Sequence, residues 1–247
     1  MTDMNPLAWI ADAYETHCLT LAKGLTGHEL LLRLGADPAE TFTPRDDDEA
    51  NEFLWAAGEN YWSWGAARAG EANGWAFVLE PASCWGSIPE RLEHAARGTE
   101  VIFSSEVGGM GNVGYWQDGT RITGFDTMTP QDRAEQGQAA DPDRLVEQMQ
   151  RAGLFVDPGA PWQRYGGLAL LYEVTGLSVS QEQTELALSG KLPALGLGRE
   201  GRRQGSDGCL ASSSRPDAEG GAVGEPSRPQ PAGRAKSSPG AGALPES

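Results

Sequence analysis

Two carboxylates, Glu80 and Glu106, each close a run of apolar residues, and the pair Trp85-Gly86 follows the first of them within a short loop. Carboxylates at the ends of neighbouring strands can meet at one edge of a sheet, as an acid and a base or as a patch for a basic partner. With 35 acidic residues in the chain, a solvated surface is the competing account of the pair. Cys84 and His94 supply a thiol and an imidazole on the same stretch. The helix between them spans about ten residues and sets them on the order of 10 Å apart, which speaks against a thiol–base pair. His17, His28 and His94 stand alone, with no H-x-H or H-E-x-x-H spacing, and no G-x-S-x-G elbow occurs. No catalytic residue, metal ligand or cofactor is assigned. The binding candidates are Glu80, Trp85, Gly86 and Glu106.

Two further motifs fail on context. Gly109, Gly111 and Gly114 fit G-x-G-x-x-G, but a dinucleotide site needs those glycines to open a helix onto the pyrophosphate. The text that follows is YWQDGTRITGF, a hairpin, so the glycines read as a flexible hairpin connection. Asp46, Asp47, Asp48 and Glu49 lack the alternate spacing, central glycine and distant glutamate of a calcium loop. Standing just ahead of a helical run over 50–57, they complement a helix dipole.

The elements that must hold these residues centre on 75–103. An apolar run ends at Glu80-Pro81, a loop carries Trp85 and Gly86, Ser87 to Glu90 reads as a capping box for a helix ending at Gly98, and 100–106 is a strand. Upstream, Leu7, Ile10, Ala11 and Tyr14 predict a helix over 6–16, and 18–23 alternates as a strand. Thr26 and Glu29 form a capping box for a helix stopped by Gly35. Residues 61–80 read as a hairpin, with Trp62, Trp64 and Ala66 on one core face and the turn at 70–74. Asp118-Gly119 predicts a second hairpin between 113–117 and 120–126. Helices follow over 142–152 and 162–175, and Ser180 with Gln183 starts another.

The last fifty residues differ in kind. From Gly198 the chain has no aromatic residue and is dominated by Gly, Pro, Ser and Ala. Such a segment buries too little apolar surface to offset its chain entropy. The same composition arises from a shifted reading frame in a GC-rich gene, so no function is assigned to it. The expected organisation is one α+β domain over 5–195, with a largely antiparallel sheet of five or six strands and flanking helices, and a disordered tail over 196–247. The tail from Gly198 holds seven basic and six acidic residues of totals of 19 and 35, which leaves 12 and 29, a net of −17, before it. That charge repels nucleic acid and anionic membrane surfaces and selects, among charged partners, a basic protein. Three scattered cysteines suggest neither a disulfide framework nor a zinc site, no apolar run is long enough to span a membrane, and the expected compartment is the reducing cytoplasm.

Several short motifs occur together in order: CLTLAKGLTGHELLLRLGAD, Glu80-Pro81, Trp85-Gly86-Ser87, Leu92, Gly98-Thr99-Glu100-Val101, Asp118-Gly119 and Phe125-Asp126. In these the chain resembles an actinobacterial family catalogued as domain of unknown function 6461, over most of residues 8–190. The resemblance implies a shared fold and carries no activity with it. Two functions stay open. One is an acidic, immunity-like interaction module for a basic partner; the other is a small-molecule or enzymatic domain with a cleft at the Trp85 loop between Glu80 and Glu106.

Overall fold

The computed structural model describes residues 5–155 and 165–194. The expected tail over 196–247 lies outside the described residues, as do positions 162–164 of the helix expected over 162–175. The fold is α+β: seven strands form one antiparallel sheet in the order β6-β5-β4-β1-β3-β2-β7. The strands are β1 (His17–Lys23), β2 (Trp64–Ala72), β3 (Trp75–Pro81), β4 (Glu100–Val107), β5 (Met110–Gln117), β6 (Thr120–Asp126) and β7 (Leu188–Pro193). The helices are α1 (Ala8–Ala13), α2 (Gly27–Arg33), α3 (Asp47–Glu59), α4 (Pro89–Ala95), α5 (Val146–Arg151), α6 (Gly166–Thr175) and α7 (Gln181–Glu185).

Both faces of the sheet are covered. Successive strand residues point to opposite sides, so β1 sends Leu19 and Leu21 into one core with Phe77, Leu79, Ile102 and Tyr115, under α1, α5 and α6. It sends Cys18 and Ala22 into the other, with Val78, Val101, Phe103 and Trp116, under α2 and α4. Burial on two sides is why all seven residues of β3 are buried, although the strand is antiparallel. A leucine fully buried in either core contributes about 2 kcal/mol relative to its exposed state.

Three of the strand connections are two-residue turns with positive φ at both positions: Asn73-Gly74 (53° and 77°), Gly108-Gly109 (56° and 83°) and Asp118-Gly119 (47° and 77°). This is the backbone that matches the twist of a hairpin, and Asn, Asp and Gly adopt it at least cost. The first turn lies later than expected: β2 runs through Gly70 to Ala72, and Asn73-Gly74 does the turning. The second replaces the expected flexible connection, because Gly111 and Gly114 are paired residues of β5. Sequence patterning also missed β7, a short edge strand containing glycine and lysine that pairs with β2, so the sheet has seven strands rather than five or six.

The capping boxes at Thr26–Glu29 and Ser180–Gln183 form as expected. The one at Ser87 does not, because the Ser87 hydroxyl donates to the Cys84 carbonyl at 2.7 Å and α4 starts from Ile88 with Pro89 in its first turn. Trp62 is not core: it precedes β2 in a turn and is 57% exposed. Among the described residues no helix is long and apolar enough to cross a membrane.

Helix α2 comes close to the backbone of β2 at Gly27, where an added Cβ would stand 2.6 Å from the backbone nitrogen of Gly70. The backbone there cannot yield, so Gly27→Ala should lower stability by about 2 kcal/mol. Gly58, exposed in α3, has open space at the same test. Gly58→Ala should therefore raise stability by about 0.5–1 kcal/mol through helix propensity alone. Urea unfolding of the two variants beside the wild type checks both signs.

Candidate functional site

Glu80, next to last in β3, has its side chain completely buried. Its carboxylate is held by the loop that follows it. Oε2 accepts from the Ser83 hydroxyl and the Trp85 backbone N–H, both at 2.8 Å, and Oε1 accepts from the Gly86 N–H at 2.7 Å. The chain reaches this geometry through Ala82, whose φ of 66° turns it back over the sheet, and through a 3-10 turn at Trp85–Ser87. Gly86 is required: a Cβ there would stand 2.5 Å from Glu80 Oε1. Gly65 on β2 leaves room for the loop in the same way, since its Cβ would meet Ser83 Oγ at 2.2 Å and the Trp85 ring at 2.8 Å. Arg91 of α4 donates to the Trp85 carbonyl at 3.1 Å and to the Pro193 carbonyl, which ties the loop to the edge strand β7.

Burial raises the Glu80 carboxyl above its ordinary range, while the Ser83, Gly86 and Trp85 hydrogen bonds and the Arg91 charge pull the other way. Burial likewise lowers Arg91, against the opposing charge of Glu80. Beside Glu80 on β1, Cys18 is fully buried, and burial first and the Glu80 charge second push its thiol well above the ordinary value. It is therefore protonated and inert as a nucleophile. Cys18 is the free thiol among the described residues. His94 is exposed in the last turn of α4.

Glu106 does not join Glu80. Glu80 is opposite Cys18 and Glu106 is opposite His17, and consecutive residues of β1 face opposite sides of the sheet. The structure thus brings Glu80, Trp85 and Gly86 together as one bonded unit. It places Glu106, 8% exposed, on the other face. The expected meeting of the two carboxylates at one edge fails because their positions along the strands differ by one residue. Three open clefts among the described residues are lined by residues other than Glu80, Trp85, Gly86 and Glu106. Among the described residues no group of three or more His, Cys, Asp or Glu is placed to hold a metal ion.

A family model described as a family of unknown function, DUF6461, matches residues 5–188. The chain belongs to that family. No curated protein and no solved structure matches it. The match covers every helix and strand of this DUF6461 domain except β7, of which it reaches only Leu188.

Two residues with more to offer a ligand escaped the sequence reading. Trp55 stands in mid-helix on α3, yet is 74% exposed. Arg68 lies on β2, yet is 3% exposed. A signal existed for each. The alternation that places Trp64 and Ala66 on one face carries on to Arg68, and Trp55 falls at helical spacing with Asp48, Glu52 and Glu59 rather than with the apolar residues of its helix.

The Glu80 geometry makes a pH prediction. A carboxyl that binds its proton more tightly folded than unfolded adds stability that is fully present below its unfolded value, ~4.3, and is lost as pH rises through the raised folded value. Glu80→Gln has no such proton, so the stability advantage of the wild type over it should be largest near the acid end and shrink toward neutrality. Urea titrations across that window measure the gap; one that widens with rising pH contradicts the assignment. Glu80→Ala strands three buried donors and should cost about 3 kcal/mol or more at any pH.

Proposed function

We propose that this DUF6461 domain is a protein-interaction module of the cytoplasm that holds a basic partner, in the manner of an immunity protein masking a nuclease. The observation that supports it most is the outer face of α3. Asp48, Glu52, Trp55 and Glu59 recur at intervals of three and four residues, so they share one side of the helix, and all four are exposed. The Trp55 indole N–H donates to Glu59 Oε1 at 3.3 Å, which holds the ring out among carboxylates. Just beyond the helix, Tyr61 and Trp62, 46% and 57% exposed, pack against each other with ring centroids 4.2 Å apart and planes tilted by 38°.

Large aromatic rings left in water mark an interaction surface more often than a solubilising one. Carboxylates around them define the chemistry of the partner. An arginine or lysine gains an ion pair and an aromatic face at the same place, with the aromatic face worth about 0.5–1 kcal/mol at an exposed site. The net charge of −17 before Gly198 adds long-range attraction for a basic surface and repulsion for nucleic acid.

The test uses the wild type, Trp55→Ala, Glu52→Lys and, as a charge-matched control on an exposed position of α4, Glu93→Lys. Each is immobilised and challenged with host extract at low and high salt. A basic protein retained by the wild type and by Glu93→Lys, released by salt, and bound about tenfold or more weakly by the two α3 variants supports the reading. A partner held equally by all four, or held regardless of salt, overturns it.

A further inference from the structure

The inner side of the same helix faces a cavity of about 560 Å³, within the range of small-molecule sites. The cavity is lined by Arg68 of β2, by Tyr14 after α1, by Asp47 and Asn51 of α3, and by Gln181 and Glu185 of α7. Arg68 is the most buried of these, and its one hydrogen bond is a long one, from Nη1 to the Tyr14 hydroxyl at 3.4 Å. Among the described residues no carboxylate lies within 4.0 Å of its guanidinium.

That is an unusual state for an arginine. Its charge cannot be shed, because the guanidinium does not lose its proton in a protein, and burying it without a counter-ion is costly. A chain with 35 carboxylates has ample means to supply a partner, and the other cavity-lining acids, Asp47 and Glu185, remain more than 4.0 Å away. Glu185 instead accepts from Gln181 Nε2 at 3.0 Å. The cavity therefore holds a positive anchor on its most buried residue and two carboxylates on its more open helices, held apart.

We propose that this cavity binds a small zwitterion of the amino-acid class, its carboxylate against Arg68 and the Tyr14 hydroxyl and its amine toward Asp47 and Glu185. The site is separate from the outer face of α3. Residues 47, 50, 51 and 54 line the cavity at helical spacing, and 48, 52, 55 and 59 face away.

Calorimetric titration of the full chain decides the matter, with the standard amino acids as zwitterions, succinate and inorganic phosphate as plain anions, and ethylamine as a plain amine. The expected result is binding of one or a few amino acids, with a matching rise in the unfolding midpoint, and plain anions and ethylamine at least about tenfold weaker. Arg68→Met should weaken the amino acid by at least about tenfold. Its own unliganded midpoint should hold or rise, because an apolar side chain of similar length replaces an uncompensated buried charge. Should that variant not fold, Asp47→Asn with Glu185→Gln, two substitutions on the more open side of the cavity, decides instead: it should bring amino-acid affinity down to that of the plain anions. Absence of binding by every amino acid, unchanged binding in Arg68→Met or in the double variant, or a plain anion matching the best amino acid overturns the proposal.

Discussion

The structure depends on one constraint, which is that the central strands are buried on both sides. β1 lies between β3 and β4 with helices over each face, so each of its buried residues, 17 to 22, faces one of two separate cores. A shift of one position moves a side chain from the first core to the second. This is why Glu80 and Glu106, both near strand ends and both near one end of β1, share nothing. The same rule brings Glu80 under the Trp85 loop, on the side of Cys18, and sends Arg68 to the opposite face, toward α1, α3 and α7.

Much of that frame was legible in the residues. The Thr26 and Ser180 boxes, the Asp118-Gly119 turn and the alternation in β1, β3 and β4 are local signals, each decided by a few neighbouring atoms, and they survive folding. What failed was set by contacts far apart in sequence. Ser87 has the right spacing for a cap, but its hydroxyl is taken by Cys84 in the loop that Glu80 organises. Trp62 continues the period of Trp64 and Ala66, yet the strand starts only at Trp64, where the chain comes alongside β7. β7 itself has little pattern of its own and exists because β2 offers it an edge. The candidate site divided the same way: Glu80, Trp85 and Gly86 are indeed one unit, while the role of each became clear only once the buried carboxylate and its three donors were seen together.

The two most buried charges of the sheet are handled in opposite ways. Glu80 is surrounded by donors from its own loop, with Arg91 nearby, so removing it from water is offset inside the chain. Its hydrogen bonds are all spent on holding residues 83–86, which is a mechanical task. Arg68 has one long hydrogen bond, opens on a cavity and lacks a counter-ion among the described residues. A charge that is satisfied internally explains a fold; a charge that is not asks for something outside it. On that ground the functional weight moves from the Trp85 loop, where the sequence drew attention, to the two faces of α3.

The acidity of the domain also bears on what Arg68 can hold. A free anion must cross the negative field of a surface carrying a net −17 before Gly198, and then pass Asp47 and Glu185. Salt screens the distant part of that field within about 8–10 Å, but not the two carboxylates that line the cavity itself. Arg68 attracts strongly only over the last few ångströms, where the protein wall screens a unit charge less than bulk water does. A plain anion thus meets repulsion early and attraction late. A zwitterion carries no net charge through the outer field, and its amine turns the two acids from a barrier into contacts. The arrangement discriminates by the order of charges along the path rather than by their sum.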